Sequence, residues 1–212
     1  MKPSSVARRV VLVGALAFSR LAVATPEFTF IGDLPGGSIY SVAMGVSADG
    51  KYVVGGSSSE LSGPINVFVK PTEAFLWDET NGMVPLGDLP GGNFVSLAYS
   101  VTKDGNVVVG TSEEFRGQPV VRSAPFIWTR SGGMSRLGPA LTHTRQDGSG
   151  IATAIASDGR RAIGSMLFLY FGGGLGDSFA SRGFFWDSFN PYSTLSIIST
   201  PAHNFEPAAS VA

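Results

Sequence analysis

Apolar positions along the chain come in short runs, not in helical stripes. VVG at 53–55, AFLW at 74–77, VVVG at 107–110 and PFIW at 125–128 are short, and segments rich in Gly, Pro, Asp, Asn and Ser stand between them. Runs of this length with β-branched and aromatic residues, closed by turn formers, predict strands. Within AFLW the period-two rule puts Phe75 and Trp77 on one face, and Phe126 with Trp128 and Phe184 with Trp186 repeat the arrangement. The pattern predicts an all-β chain.

The runs recur at a fixed interval. IGDLPGG at 31–37 returns as LGDLPGG at 86–92, and VSADGKYVVG at 46–55 returns as VTKDGNVVVG at 101–110, both 55 residues later. IASDGRRAIG at 155–164 follows the second copy by 54. The three tryptophans stand in AFLW, PFIW and GFFW (183–186), and a Gly-Met pair follows the first two at 82–83 and 133–134. In the third copy the DLPGG loop is reduced to Leu137-Gly138-Pro139-Ala140. Internal repetition of this length marks stacked supersecondary units. The expected copies cover about 30–83, 84–134 and 135–193. Each is read as a four-stranded meander. Its first strand lies at 28–31, 84–86 or 135–137, its second at 40–46, 95–101 or 151–155, and its third at 51–55, 106–110 or 161–169. The fourth carries Phe-x-Trp. The segment TLSIIS at 194–199 reads as a lone first strand of a further module, with an open edge.

The amino terminus departs from this pattern. A basic start with Lys2, Arg8 and Arg9, the apolar run VVLVGALAF at 10–18, and Ala22-Val23-Ala24 before Thr25 make up the three parts of a secretory leader. Residues 1–24 are expected to be a signal peptide, 25–199 the β domain and 200–212 a flexible tail. The mature chain is expected to be secreted, periplasmic or at the cell surface, with no transmembrane anchor. The leader holds four basic residues and no acid, so the remainder has a net charge of −5. That balance excludes an electrostatic case for nucleic acid. The absence of cysteine excludes disulfides and thiolate chemistry.

The order GDLPGG, then V-S-x-D-G-x-x-V-V-G, then A-F-x-W and Gly-Met closely resembles the extracellular HAF repeat family, named for a His-Ala-Phe signature. The signature position reads Glu73-Ala74-Phe75, Ala124-Pro125-Phe126 and Arg182-Gly183-Phe184, so the histidine is absent from all three copies. The resemblance covers about residues 30–187. It implies exported bacterial proteins with propeller-like repeats, and it carries no reaction.

Candidate chemistry is sparse. Asp49-Gly50, Asp104-Gly105 and Asp158-Gly159 each offer one carboxylate between two strands. Hairpin turns account for them better than calcium, which takes six to eight oxygens. Glu60, Glu113 and Glu114 are expected to be solvated in longer loops. His143 and His203 have no partner at metal-ligand spacing, and no GxSxG elbow is present. The glycine run 172–176 lacks the Lys-Ser/Thr of a phosphate loop and is expected to be an insertion between strands. No catalytic, cofactor or metal residue is assigned, and the chain is not expected to be an enzyme. The leading expectation is an exported structural or binding module whose partner is a glycan, a surface protein or a second copy of the chain. The alternatives are a secreted propeller-type hydrolase, which would need acids converging from several blades, and a truncated repeat fragment.

Overall fold

The computed structural model describes residues 27–62, 72–115, 121–138, 149–172, 176–189 and 196–197. The expected leader, the tail from 200, His143, His203 and Pro139-Ala140 lie outside them. Residues 1–30 form one unit, of which only 27–30 are described; Phe28 and Phe30 there meet edge to face and belong to no strand. The rest of the chain is a second unit.

The described part of that unit is all β. It holds β1 (Gly36–Val46), β2 (Val53–Ser59), β3 (Glu73–Asp78), β4 (Gly82–Pro85), β5 (Ser96–Val101), β6 (Val107–Phe115), β7 (Val121–Thr129), β8 (Gly133–Arg136), β9 (Ser149–Ile155), β10 (Arg161–Gly172), β11 (Gly176–Asp187) and β12 (Ser196–Ile197). They make three antiparallel four-stranded meanders, β1 to β4, β5 to β8 and β9 to β12. No closed ring of sheets is formed among the described residues.

The grouping of strands differs from the sequence reading. The segments at 84–86 and 135–137 do not open a copy; they close the preceding sheet as β4 and β8. The reason is local. A short turn at 79–81 folds β4 directly back onto β3, with Trp77 opposite Met83. The DLPGG loop then separates β4 from β5. Residues 28–31 accordingly form no strand. The segment at 194–199 is not a lone strand either: its described part, β12, pairs with β11 opposite Phe184 and Phe185. Of the glycine run at 172–176, the described residues Gly172 and Gly176 pair with each other at the end of β10 and the start of β11; 173–175 lie outside the described residues.

Each sheet repeats one internal contact. Phe75, Phe126 and Phe184 are fully buried, and each lies across the strand pair from a glycine: Gly55, Gly110 and Gly164. A Cβ at Gly110 would meet the Phe126 ring within 2.6 Å and collide with the Leu97 carbonyl. Glycine is therefore required for the ring to lie flat on the neighbouring strand. The first strand of every sheet bulges beside this glycine, at Met44, Tyr99 and Thr153.

The sheets pack face to face. Val54, Ala74 and Leu76 of the first meet Ala98, Val101, Val108 and Phe126 of the second. Val109 and Leu137 of the second meet Ala152, Ala162, Met166 and Phe184 of the third. The tryptophans, which share a strand face with these phenylalanines, are only partly buried; Trp128 and Trp186 pack on the margin of these clusters. The phenylalanines two residues earlier are the central ones.

The DLPGG loops are tied down by serines. Ser57 Oγ accepts from Leu34 N (2.8 Å), and Ser112 Oγ accepts from Leu89 N (2.9 Å). Ser41 Oγ donates to Gly32 O, and Ser96 Oγ donates to Gly87 O (2.6 Å). In the third copy the corresponding residues are Gly150 and Met166, and Met166 is buried. The loop and its anchors have been lost together.

Phe126→Ala is expected to cost about 3–5 kcal/mol, as for a fully buried aromatic. Trp128→Ala should cost clearly less, and Gly110→Ala should destabilise despite its small size. Equilibrium denaturation of the three variants checks the order; a Trp128→Ala loss larger than that of Phe126→Ala would reverse the assignment of the core.

Candidate functional site

The Asp-Gly turns gather at one end of the stacked sheets. In the first turn Gly50 has φ +76°, and its N–H donates to Ser47 O (2.9 Å). Ser47 Oγ donates to Asp49 Oδ1 (2.8 Å) and accepts from Tyr52 N (3.0 Å). The second turn repeats this: Thr102 Oγ1 donates to Asp104 Oδ1 (2.5 Å) and accepts from Val107 N (3.1 Å). The third has Ala156 at this place and no side-chain hydroxyl; Gly159 N still donates to Ala156 O (2.9 Å), and Arg160 N donates to Asp158 Oδ1 (3.0 Å). Each aspartate thus spends a carboxylate oxygen on its own turn, as the hairpin reading expects. No group of three His, Asp or Glu is placed to hold a metal among the described residues.

Successive turns are covered by the next residue of the repeat. The Tyr52 ring lies over Gly105, and Val107 lies over Gly159. Tyr52 thereby becomes the wall between two open depressions. One, of about 480 Å³, is lined by Asp49, Lys51, Tyr52, Lys103, Asp104 and Ser157. The other, of about 330 Å³, runs from Asp49, Lys51 and Tyr52 to Trp77, Asp78 and Thr80. The two share the Asp49–Tyr52 segment. A partly buried indole and a phenol therefore stand among carboxylates and ammonium groups, just before β2 and near the end of β3.

The carboxylates here are held ionised. Asp49 lies below the ordinary aspartate range chiefly because Ser47 donates to it, with the Lys51 amide and ammonium adding to this. Lys51 Nζ stands 3.8 Å from Asp49 Oδ2. Asp78 is lowered first by the Asn81 side chain, then by the Asn81 and Thr80 amides. Asp104 is lowered first by Thr102. Groups held ionised in this way accept hydrogen bonds well and are poor proton donors.

The same place is occupied differently in the other copies. In the second, Arg130 stands where the first has Glu79, and its Nη2 donates to Gly105 O (3.3 Å). In the third, the Arg160 guanidinium lies 4.6 Å over the Phe189 ring, and Arg161 pairs with Asp187 (3.1 Å). The first copy leaves the Trp77 side of the turn open.

Two carboxylates lie elsewhere, by the DLPGG loop. Glu73 is buried and accepts from Gly87 N (3.2 Å). Asp88 is raised above the ordinary range, first by burial and then by the Glu73 charge. Their place is structural: Glu73 holds the backbone of the loop that Asp88 belongs to. Glu113 and Glu114, expected in solvated loops, are on β6 instead. Glu113 accepts from Asn93 Nδ2 (3.0 Å), and Glu114 is largely buried against Arg136. Glu60 is exposed, as expected.

Sequence reasoning singled out Asp49, Asp104 and the tryptophans, and the structure brings Asp49 and Trp77 to one depression. It passed over Tyr52, Lys51 and Asp78. The signal available for them was their divergence between copies, where Tyr52 becomes Val107 and then Arg161. No family model, curated protein or solved structure matches the chain.

The raised Asp88 gives a signed pH prediction. Its folded-state pKa lies above the unfolded value, so at neutral pH its charge opposes folding, and the opposition disappears once pH falls below the unfolded value near ~3.9. Asp88→Asn should therefore stabilise the protein at pH 7 and have no effect at pH ~3. Denaturation midpoints of both proteins across this range check it; a destabilisation at pH 7 would show that the carboxylate is needed in the loop.

Proposed function

We propose that this chain is an exported β-repeat binding module, and that the three sheets are blades of a propeller-type stack that presents the Trp77–Tyr52 depression to a glycan. The observation that carries the reading is the mixed lining of that depression. A sugar ring offers an apolar C–H face and a rim of hydroxyls. The partly buried Trp77 indole and the Tyr52 ring suit the face, and the ionised Asp49 and Asp78 suit the hydroxyls. Stiff aromatic side chains on strand ends lose little conformational freedom on binding. Hydrogen bonds from their own turns hold Asp49 and Asp78 ionised, which suits them to accept from hydroxyls. The repeat pattern and its resemblance to HAF sequences support an extracellular setting.

Titration of the protein with a panel of soluble oligosaccharides, followed by tryptophan emission and calorimetry, should find a ligand. Trp77→Ala should then weaken it at least ~10-fold, equal to about 1.4 kcal/mol. Trp186→Ala, on another copy, should leave affinity unchanged. Equal loss in both variants would move the site away from the first copy.

Export requires removal of the leader. The intact mass of the protein recovered from its native host should correspond to a chain beginning at Thr25. A product that retains Met1 or begins at Lys2 would contradict it.

A further inference from the structure

The repeat itself shows what belongs on its two uncovered faces. On the face of the first and second sheets that meets the next sheet, Val54 and Val109 are 0% exposed. Ile163, at the same place in the third sheet, is 50% exposed. Its cross-strand partner Phe185 is 39% exposed, whereas Leu76, at the same place in the first sheet, is 3% exposed. On the opposite face, at the other end, Phe75 is 0% exposed, but the residues of β1 on that face are left uncovered. Val101 in the second sheet is 7% exposed, and Val46 in the first is 62% exposed. Ala98 and Ala152 are buried, and Ala43 is not.

The hand-over at the turns is open at both ends too. Tyr52 covers Gly105 and Val107 covers Gly159, yet among the described residues nothing lies within 4 Å of where a Cβ at Gly50 would be. Arg161, the residue in the covering position of the third copy, is exposed. The two bare surfaces are therefore the two halves of a contact that the molecule already makes twice internally.

We infer that the Ile163–Phe185 face of one copy receives the Val46–Ala43 face of a second copy of this chain, head to tail. The internal contacts of Val54 with the second sheet and of Val109 with the third supply the template. Apolar sheet faces of this kind are stable only when a neighbouring unit covers them. A head-to-tail contact uses different surfaces on the two partners, so it closes into a ring or propagates. Two chains give six sheets, within the four to eight blades of closed propellers. This inference uses neither the Trp77 depression nor its ligand, so each stands or fails separately.

The test is sedimentation equilibrium of the full chain between 1 and 100 μM, with Val46→Asp and Phe185→Asp, both at exposed positions, checked for folding by thermal melting. The wild type should have the mass of two chains, and each folded variant should fall to one. Mixing the two variants should restore a two-chain species, because the Phe185→Asp copy keeps an intact Val46 face and the Val46→Asp copy keeps an intact Phe185 face. A wild-type monomer throughout the range overturns the inference. So does a Val46→Asp protein that still dimerises while Phe185→Asp does not, since that marks a symmetric back-to-back contact.

Discussion

The laying of a phenylalanine ring over a cross-strand glycine governs the rest of the fold. Phe126 takes the volume that a side chain at Gly110 would fill, and this lets a large apolar ring be wholly buried within the thickness of one sheet. The surface left facing the neighbouring sheet is then shallow enough for Ala98 and Val101 to approach Val54 and Leu76. The bulge next to that glycine adds twist to the first strand, so successive first strands converge. Gly45 abuts the backbone of Tyr99, and Ile155 N donates to Ser100 Oγ (3.3 Å). Ring, glycine, bulge and small residue form one unit; a Cβ at the glycine or a cavity at the ring would disturb the others.

Polar groups follow the same economy. Thr72 and Ser96 join the first sheet to the second: Thr72 Oγ1 donates to Ser96 O (2.9 Å), and Ala74 N donates to Ser96 Oγ (2.9 Å). Thr111 Oγ1 donating to Gly150 O (2.9 Å) joins the second to the third. Buried backbone groups beside a loop without regular structure need partners, and hydroxyls supply them with little volume. When the third copy lost its DLPGG loop, a serine at position 166 would have been left buried without a partner. A methionine there fills the space instead and contacts the would-be Cβ of Gly150.

The repeat, the all-β class and the turns were legible in the sequence because each rests on local chemistry. Asp-Gly at 49–50 fixes a turn wherever it occurs, and AFLW fixes a strand. The grouping of strands into sheets was not legible. LGDLPGG reads as one motif, yet Leu86 belongs with the strand before it, since hydrogen-bond partnership follows the short turn at 79–81 and not motif boundaries. The relative burial of the tryptophans and phenylalanines was not legible for a related reason. Alternation gives the face, and Trp77 shares it with Phe75; it does not give distance from the end of the sheet, where cover runs out. Glu114 shows the same limit, because its partner Arg136 lies 22 residues away across two strand pairs.

The depression beside Trp77 could not be recognised from what the copies share. Every shared feature there is used by the fold: the aspartates hold turns, the glycines allow them, and the aromatic at each third-strand end shields a sheet margin. What distinguishes the first copy lies in positions where the three differ. Lys51 and Tyr52 stand where the second copy has Asn106 and Val107, and Asp78 and Glu79 stand where it has Thr129 and Arg130. Arg130 reaches across its own turn to Gly105, whereas Glu79 leaves the Trp77 side of its turn open. Repetition thus builds three equivalent platforms, and substitution at the rim makes one of them chemically distinct. A site on a repeat protein is best sought by subtracting the repeat, because the shared residues are already committed to holding the sheets together.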